Sequence, residues 1–169
     1  MKKISLVPDL MLDDIHQITP EFLFKKEIRG VLFDIDNTLA PYETAKPDAK
    51  LCQYFASLQN AGIIIGLISN NTKERVDLFN KEFCFFSMHK ARKPSPKSIK
   101  RFIIEQRLRN NQVLFVGDQI FTDCLAAHRA GVECVIVKPL SQDPGIFFKI
   151  KRYLEKPFVK IYKLKHQSK

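Results

Sequence analysis

Five short segments of the chain are apolar almost throughout: GVLFDI (30–35), IIIGLIS (63–69), CFFSM (84–88), QVLFVG (112–117) and ECVIVK (133–138). A strand with one wet face alternates apolar and polar residues, and these do not. Both faces of such strands must be covered, which is the condition of a parallel sheet between layers of helix. Helical patterns do separate them. PDAKLCQYFASLQNAG (47–62) repeats Leu51, Tyr54, Phe55 and Leu58 at helical spacing, with Pro47 in a first turn and Gly62 as a stop. NTKERVDLFNKEF (71–83), SPKSIKRFIIEQRL (95–108, with Ser95-Pro96 as N-cap and first helical residue) and TDCLAAHRAG (122–131) predict three more helices. The expected fold class is α/β with a mainly parallel sheet, and 169 residues suit one domain with a proper core. The division expected is a small helical lead-in (1–29), the core (30–140) and a C-terminal tail (145–169).

In such folds ligands bind at the carboxyl ends of the strands. The first of the five strands ends in Asp34 and Asp36, followed by Asn37 and Thr38. The second ends in Ser69, Asn70 and Asn71, the loop after the third carries Lys90, Arg92 and Lys93, and the fourth ends in Gly117-Asp118 with Asp123 five residues on. Residues two apart on a strand share a face, so Asp34 and Asp36 can address one ligand. Each stretch alone is ordinary turn, cap or solvated-charge chemistry. All four on one edge of one sheet are not explained that way. Converging carboxylates need a cation, and hard oxygen donors beside a phosphate suit Mg²⁺. Ser69, Asn70 and a lysine are donors suited to a transferring phosphoryl group, and spacing alone does not choose Lys93 over Lys90 or Lys97.

These four motifs resemble the haloacid-dehalogenase (HAD) superfamily of phosphatases: LFDIDNTL (32–39), LISNN (67–71), ARKPSPK (91–97) and VGDQIFTD (116–123). The D-x-D-N-T and R-K-P-x-P forms resemble subclass IIIA. Together with the lead-in VPDLMLDDIHQITPEFLFKKEIRG (7–30), the chain is similar to the YqeG-like group, itself similar to phosphatidylglycerophosphate phosphatases. The resemblance implies a three-layer Rossmann-like fold and phosphomonoester hydrolysis through an aspartyl-phosphate. It implies Asp34 as nucleophile and Asp36 as general acid/base, with Ser69, Asn70 and Lys93 binding phosphate. Mg²⁺ would be held by Asp34, Asp36 and Asp118, with Thr38 and Asp123 in support. Ten residues separate Asp36 from Pro47, and Asn71 to Lys93 spans one helix and one strand, so no cap domain fits. An uncapped site favours a phosphate on something large or on a surface. A receiver domain is the non-enzyme rival, but its phosphoacceptor ends a later strand, where this chain has no aspartate.

The net charge is +10, and residues 149–169 hold eight Lys or Arg against Glu155, so +7 of it lies there. Basic residues interleaved with Ile150, Tyr153, Leu154, Phe158, Val159, Ile161, Tyr162 and Leu164 can bind an anionic leaflet, bind nucleic acid, or dock on the core with lysines in water. Pro157 argues against one continuous helix there. The four cysteines lack C-x-x-C spacing and read as buried free thiols of a reducing compartment. MKKISLVPDLMLDD is not a signal-peptide pattern, and no stretch approaches the ~18–20 apolar residues of a membrane span. The expectation is a cytoplasmic protein with a peripheral contact at the inner face of the membrane. The substrate expected is phosphatidylglycerophosphate. The alternatives are a nucleic-acid end, a phosphoprotein, a soluble phosphoester, or a non-catalytic RNA- or ribosome-associated binding module.

Overall fold

A computed structural model describes residues 5–141 and 145–167. Its strands are β1 (Leu10–Leu12), β2 (Gly30–Phe33), β3 (Ile64–Ile68), β4 (Phe86–Met88), β5 (Val113–Gly117) and β6 (Glu133–Val137). The helices are α1 (Pro20–Lys25), α2 (Ala49–Asn60), α3 (Lys73–Asn80), α4 (Lys97–Glu105), α5 (Leu125–Ala130) and α6 (Ile146–Gln167). The sheet runs β1-β6-β5-β2-β3-β4 with every neighbouring pair parallel.

Side chains alternate across the sheet and so divide the core in two. Val31 and Phe33 of β2, Leu114 and Val116 of β5, and Leu67 of β3 join Tyr54, Phe55 and Leu58 of α2 and Val76 and Phe79 of α3 on one face. Leu32, Val113, Phe115 and Ile136 join Ile99 and Phe102 of α4 and Ala126 and Ala127 of α5 on the other. This is the expected three-layer architecture. Between β2 and α2 the chain makes only turns and a bridge of Asp36 to Ala40, so no cap is inserted there.

The structure departs from the sequence reading in several places. The lead-in holds a strand as well as α1: β1 extends the sheet beside β6, in register Leu10 with Val135 and Leu12 with Val137. Three residues are too few to show a period. Helix α2 starts one residue after Asp48, whose side chain caps Leu51 N at 2.7 Å, and Pro47 lies outside it. Helix α4 begins at Lys97, one residue later than expected, and Ser95 Oγ accepts from Lys97 N at 3.5 Å. Cys124 and Cys134 are buried, but Cys84 is exposed just before β4, at φ 52°. Helix α6 runs unbroken through Pro157, which is exposed on its outer side. Lys169, part of the basic tail, lies outside the described residues.

Candidate active site

The register brings the functional residues to one level. Phe33 pairs with Leu67 on one side and Val116 on the other, so Asp34, Ile68 and Gly117 come next in line across three adjacent strands. Asp34 N still donates to Val116 O at 2.9 Å, and Ser69 N donates to Met88 O at 2.9 Å. The ladder therefore fixes these backbones up to the site itself. Beyond β2 the chain turns at Asn37, in the left-handed region at φ 67°. The Asn37 side chain is tied to Ser141: Oδ1 accepts from Ser141 N (3.0 Å) and Oγ (2.6 Å), and Nδ2 donates to Ser141 O (3.2 Å). Asparagine tolerates that backbone better than most residues, because its short amide can bond locally.

Asp34, Asp118 and Asp123 are all buried and bring carboxylate oxygens within 4.8 Å of one another. Lys93 lies among them. Its Nζ bonds Asp34 Oδ1 and stands 2.7 Å from Asp123 Oδ1. Lys90 and Lys97 are exposed, so the geometry selects Lys93 from the three. Asn70 holds Lys93 in place through its backbone: Oδ1 accepts from Lys93 N at 2.7 Å and Nδ2 donates to Lys93 O at 3.1 Å. Asp123 Oδ2 accepts from the amides of Asp118 (3.2 Å) and Gln119 (3.0 Å). The single turn of wide π-helix at Ile120–Cys124 brings it back to that loop. Thr38 Oγ1 lies 3.2 Å from Asp34 Oδ2 and 3.4 Å from Asp118 Oδ1, with one proton to give to either.

The side chain of Asp36 does not join that cluster. Its carboxylate accepts from Ser69 Oγ (3.1 Å), Asn71 Nδ2 (3.3 Å) and Arg75 Nε (3.2 Å). Arg75 also donates to Ala45 O at 3.2 Å, tying α3 to the loop after β2. Asp34, Asp36, Tyr42, Ser69, Asn70, Asn71, Lys93, Gln119 and Thr122 line an open cavity of about 290 Å³.

Two further contacts have no signature in the sequence. Arg75 on Asp36 is one, and Arg152 of α6 is the other. The Arg152 guanidinium bonds both Asp118 Oδ2 and the Asp118 carbonyl, and reaches Glu155 at 3.3 Å. Glu155 Oε1 in turn accepts from Ile120 N (2.8 Å) and Phe121 N (3.2 Å). No local pattern could have singled out one arginine in a run of basic residues.

Three buried carboxylates thus face two cationic groups, Lys93 and Arg152. Burial, reinforced by the charges of Asp123 and Asp118, raises the Asp34 carboxyl well above its ordinary range against the pull of Lys93. Burial and then Asp123 lift Asp118 to about 7 despite Arg152. Burial lowers Lys93, but Asp123 and Asp34 outweigh it, and the ammonium is held above its ordinary value. Asp123 Oδ1 is buried and accepts no well-aligned hydrogen bond. The deficit of positive charge and the three converging hard carboxylates fit a divalent cation at this cluster.

A strand-end aspartate in a three-layer parallel fold, set between a buried lysine and an acidic cluster, marks out a class of hydrolase. Residues 42–137 match the model of the haloacid dehalogenase-like hydrolase family, a stretch that begins beyond Asp34 and Asp36. The chain belongs to that family, and within it the chain is a phosphatase. It is 30% identical over 165 residues to the probable phosphatase YqeG of Bacillus subtilis, covering 98% of this chain and 96% of that one. It is 26% identical over 162 residues to the chloroplastic/mitochondrial phosphatidylglycerophosphate phosphatase 1 of Arabidopsis thaliana, covering 87% of this chain but only 45% of that protein. The crystal structure of hypothetical protein XCC2798 from Xanthomonas campestris shares the fold, with TM-score 0.56, 19% identity, and coverage of 79% of this chain and 76% of that one.

Proposed function

We propose that the chain hydrolyses a phosphomonoester through a phosphoaspartate on Asp34, and that its substrate is phosphatidylglycerophosphate. The observation that carries the chemistry is the Asp34 carboxylate, fixed by Lys93 in an open cavity beside Asp118 and Asp123. An Asp34 oxygen attacks phosphorus, and the new P–O bond forms as the ester P–O bond breaks. Asp36 carries the proton to the departing alkoxide. Water then attacks the same phosphorus, Asp36 takes its proton, and the bond to Asp34 breaks to release inorganic phosphate. Lys93, Ser69 and the Asn70 amide hold the phosphoryl oxygens.

Asp34, Asp118 and the main-chain carbonyl of Asp36 would hold Mg²⁺, with Asp123 alongside. The ion supplies the positive charge that lets an anionic nucleophile approach an anionic phosphate. The lipid substrate is supported by the similarity to the Arabidopsis protein and by a site that no cap encloses.

The test is phosphate release from phosphatidylglycerophosphate in mixed micelles, beside soluble phosphomonoesters and a 5′-phosphorylated oligonucleotide, each with Mg²⁺ or EDTA. Wild type should release phosphate from the lipid selectively, and Asp34→Asn should not. Release from soluble or nucleic-acid substrates alone keeps the chemistry and refutes the lipid. Folded protein that releases nothing from any substrate refutes both.

A further inference from the structure

Helix α6 has two opposite sides, and only one is covered. The inward side is fixed by Arg152 on Asp118, Glu155 on the Ile120 and Phe121 amides, and Tyr162, whose hydroxyl accepts from Met11 N at 3.0 Å. Phe158 packs edge-on against Phe121, with ring centroids 5.8 Å apart. Steps of three and four residues put these side chains on one stripe. The opposite stripe carries Ile146, Ile150, Tyr153, Leu154, Ile161 and Leu164, which are 77%, 53%, 67%, 53%, 40% and 58% exposed. Scattered surface hydrophobics need no explanation, but six along one line of one helix form a continuous apolar strip. Exposed Lys149, Lys156, Lys160 and Lys163 flank one edge of the strip, and exposed Lys165 the other. The single acid of the helix, Glu155, is 5% exposed and turned to the core.

We propose that this outward face of α6 docks on an anionic bilayer and holds the active site at headgroup level. The inference rests on the lipid-phosphatase reading for its purpose, but not for its geometry. An apolar strip between lysine rails, with no exposed carboxylate, matches an interfacial helix lying in the membrane plane. A second copy of the chain would bring its own lysine rails against these, and like charges oppose that pairing. Nucleic acid would gain from the lysines but little from Ile146, Ile150, Leu154, Ile161 and Leu164. Among the described residues no helix is long and apolar enough to cross a membrane.

The experiment is co-sedimentation of the full chain with vesicles of phosphatidylcholine alone or mixed with phosphatidylglycerol. One variant, Ile150→Ser/Leu154→Ser/Ile161→Ser, removes the strip. Another, Lys149→Gln/Lys156→Gln/Lys160→Gln, removes a rail. All six positions are exposed, so both should keep the wild-type melting temperature and rate on a soluble phosphomonoester. Wild type should bind the anionic vesicles and not the neutral ones. The strip variant should lose at least tenfold in partitioning, and the rail variant about fivefold per lysine. Equal binding to both vesicle types, or binding that neither variant reduces, overturns the proposal. So does a dimer that the strip variant splits into monomers in a chain that ignores vesicles. Vesicle binding with no phosphatase activity would instead count against the proposed function and leave the docking face standing.

Discussion

Gly117→Ala tests whether Asp123 is a working part of the site. Gly117 ends β5, and the space where its side chain would stand is filled by Asp123. An added Cβ would lie 2.5 Å from the Cβ, Cγ and Oδ2 of Asp123. Comfortable contact between such atoms is about 3.5–4.0 Å, so Asp123 must retreat by about an ångström. It cannot do so alone, because Oδ2 holds the Asp118 and Gln119 amides and Oδ1 faces Lys93. Overpacking costs about 1–3 kcal/mol, and weakening hydrogen bonds to a charged carboxylate adds roughly 1.5–3 kcal/mol. Together, about 3–5 kcal/mol corresponds in a domain of this size to a melting temperature lower by roughly 6–20 °C. Misplacing Lys93 and Asp118 by an ångström should cost about 10²-fold in kcat/KM, measured on a soluble phosphomonoester at a temperature where circular dichroism shows the variant folded. Gly62→Ala is the matched control. It has φ +78° and open space around an added Cβ, so it should lose about 1–2 kcal/mol of backbone preference and no activity. A Gly117→Ala protein with wild-type melting and kcat/KM refutes the reasoning. One that is destabilised but fully active removes Asp123 from the machinery.

Three further outcomes follow from buried charge. His128 Nε2 lies 2.9 Å from Asp9 Oδ2 and Nδ1 lies 2.6 Å from Ser5 O, so both ring nitrogens face acceptors. Burial pulls its pKa down, but the Asp9 bond and its other partners lift it from 6.5 to about 10. The imidazolium therefore stabilises the fold fully below about pH 6.5, and that stabilisation is lost as pH rises towards 10. Urea midpoints should fall over that window in wild type, and His128→Gln should flatten the slope. Arg152→Gln should melt lower without metal and bind Mg²⁺ more tightly by calorimetry, because guanidinium and cation neutralise the same Asp118 carboxylate; weaker binding would make Arg152 a support for the metal instead. Asp118, raised to about 7, binds a proton in the fold that it lacks when unfolded between its ordinary 3.8 and that value. Its ionisation therefore lowers stability as pH rises through this window, and Mg²⁺ should raise the melting temperature more at pH 8 than at pH 5.

The sheet and the residues at its edge were legible because both follow from short-range rules. Apolar strands fix a parallel sheet, and register then delivers Asp34, Ser69 and Asp118 to one edge whatever the helices do in detail. What escaped the sequence depends on contacts across long separations. Strand β1 is identified only by its partner β6, 125 residues on in the register Leu10 with Val135. Asp36 looked like a companion of Asp34 because the two stand two residues apart. Yet the chain has left the strand by then, and Ser69, Asn71 and Arg75 hold the Asp36 carboxylate on the wall of the same cavity but outside the Asp34–Asp118–Asp123 cluster. Pro157 suggested a break in α6 that does not occur, because the anchors at Glu155 and Tyr162 hold the helix on either side of it.

Arg152 joins the parts that the sequence reading kept separate. The tail could be read as a membrane surface or as a segment docked on the core, and α6 is docked on one side while exposing an apolar strip on the other. Its inward contact is made with Asp118, one of the three clustered carboxylates. The outer strip and the contact with Asp118 thus belong to one helix, and Glu155 of that helix also accepts from the Ile120 and Phe121 amides of the loop that carries Asp123. Arg152 also supplies one of the two positive charges that make burial of three carboxylates tolerable. Undocking α6 would leave Asp34, Asp118 and Asp123 with Lys93 alone, and the penalty on that excess negative charge falls as a divalent cation binds. A cation bound at Asp118 would therefore be linked to the position of α6 through that one carboxylate, and each would alter the other by the same free energy.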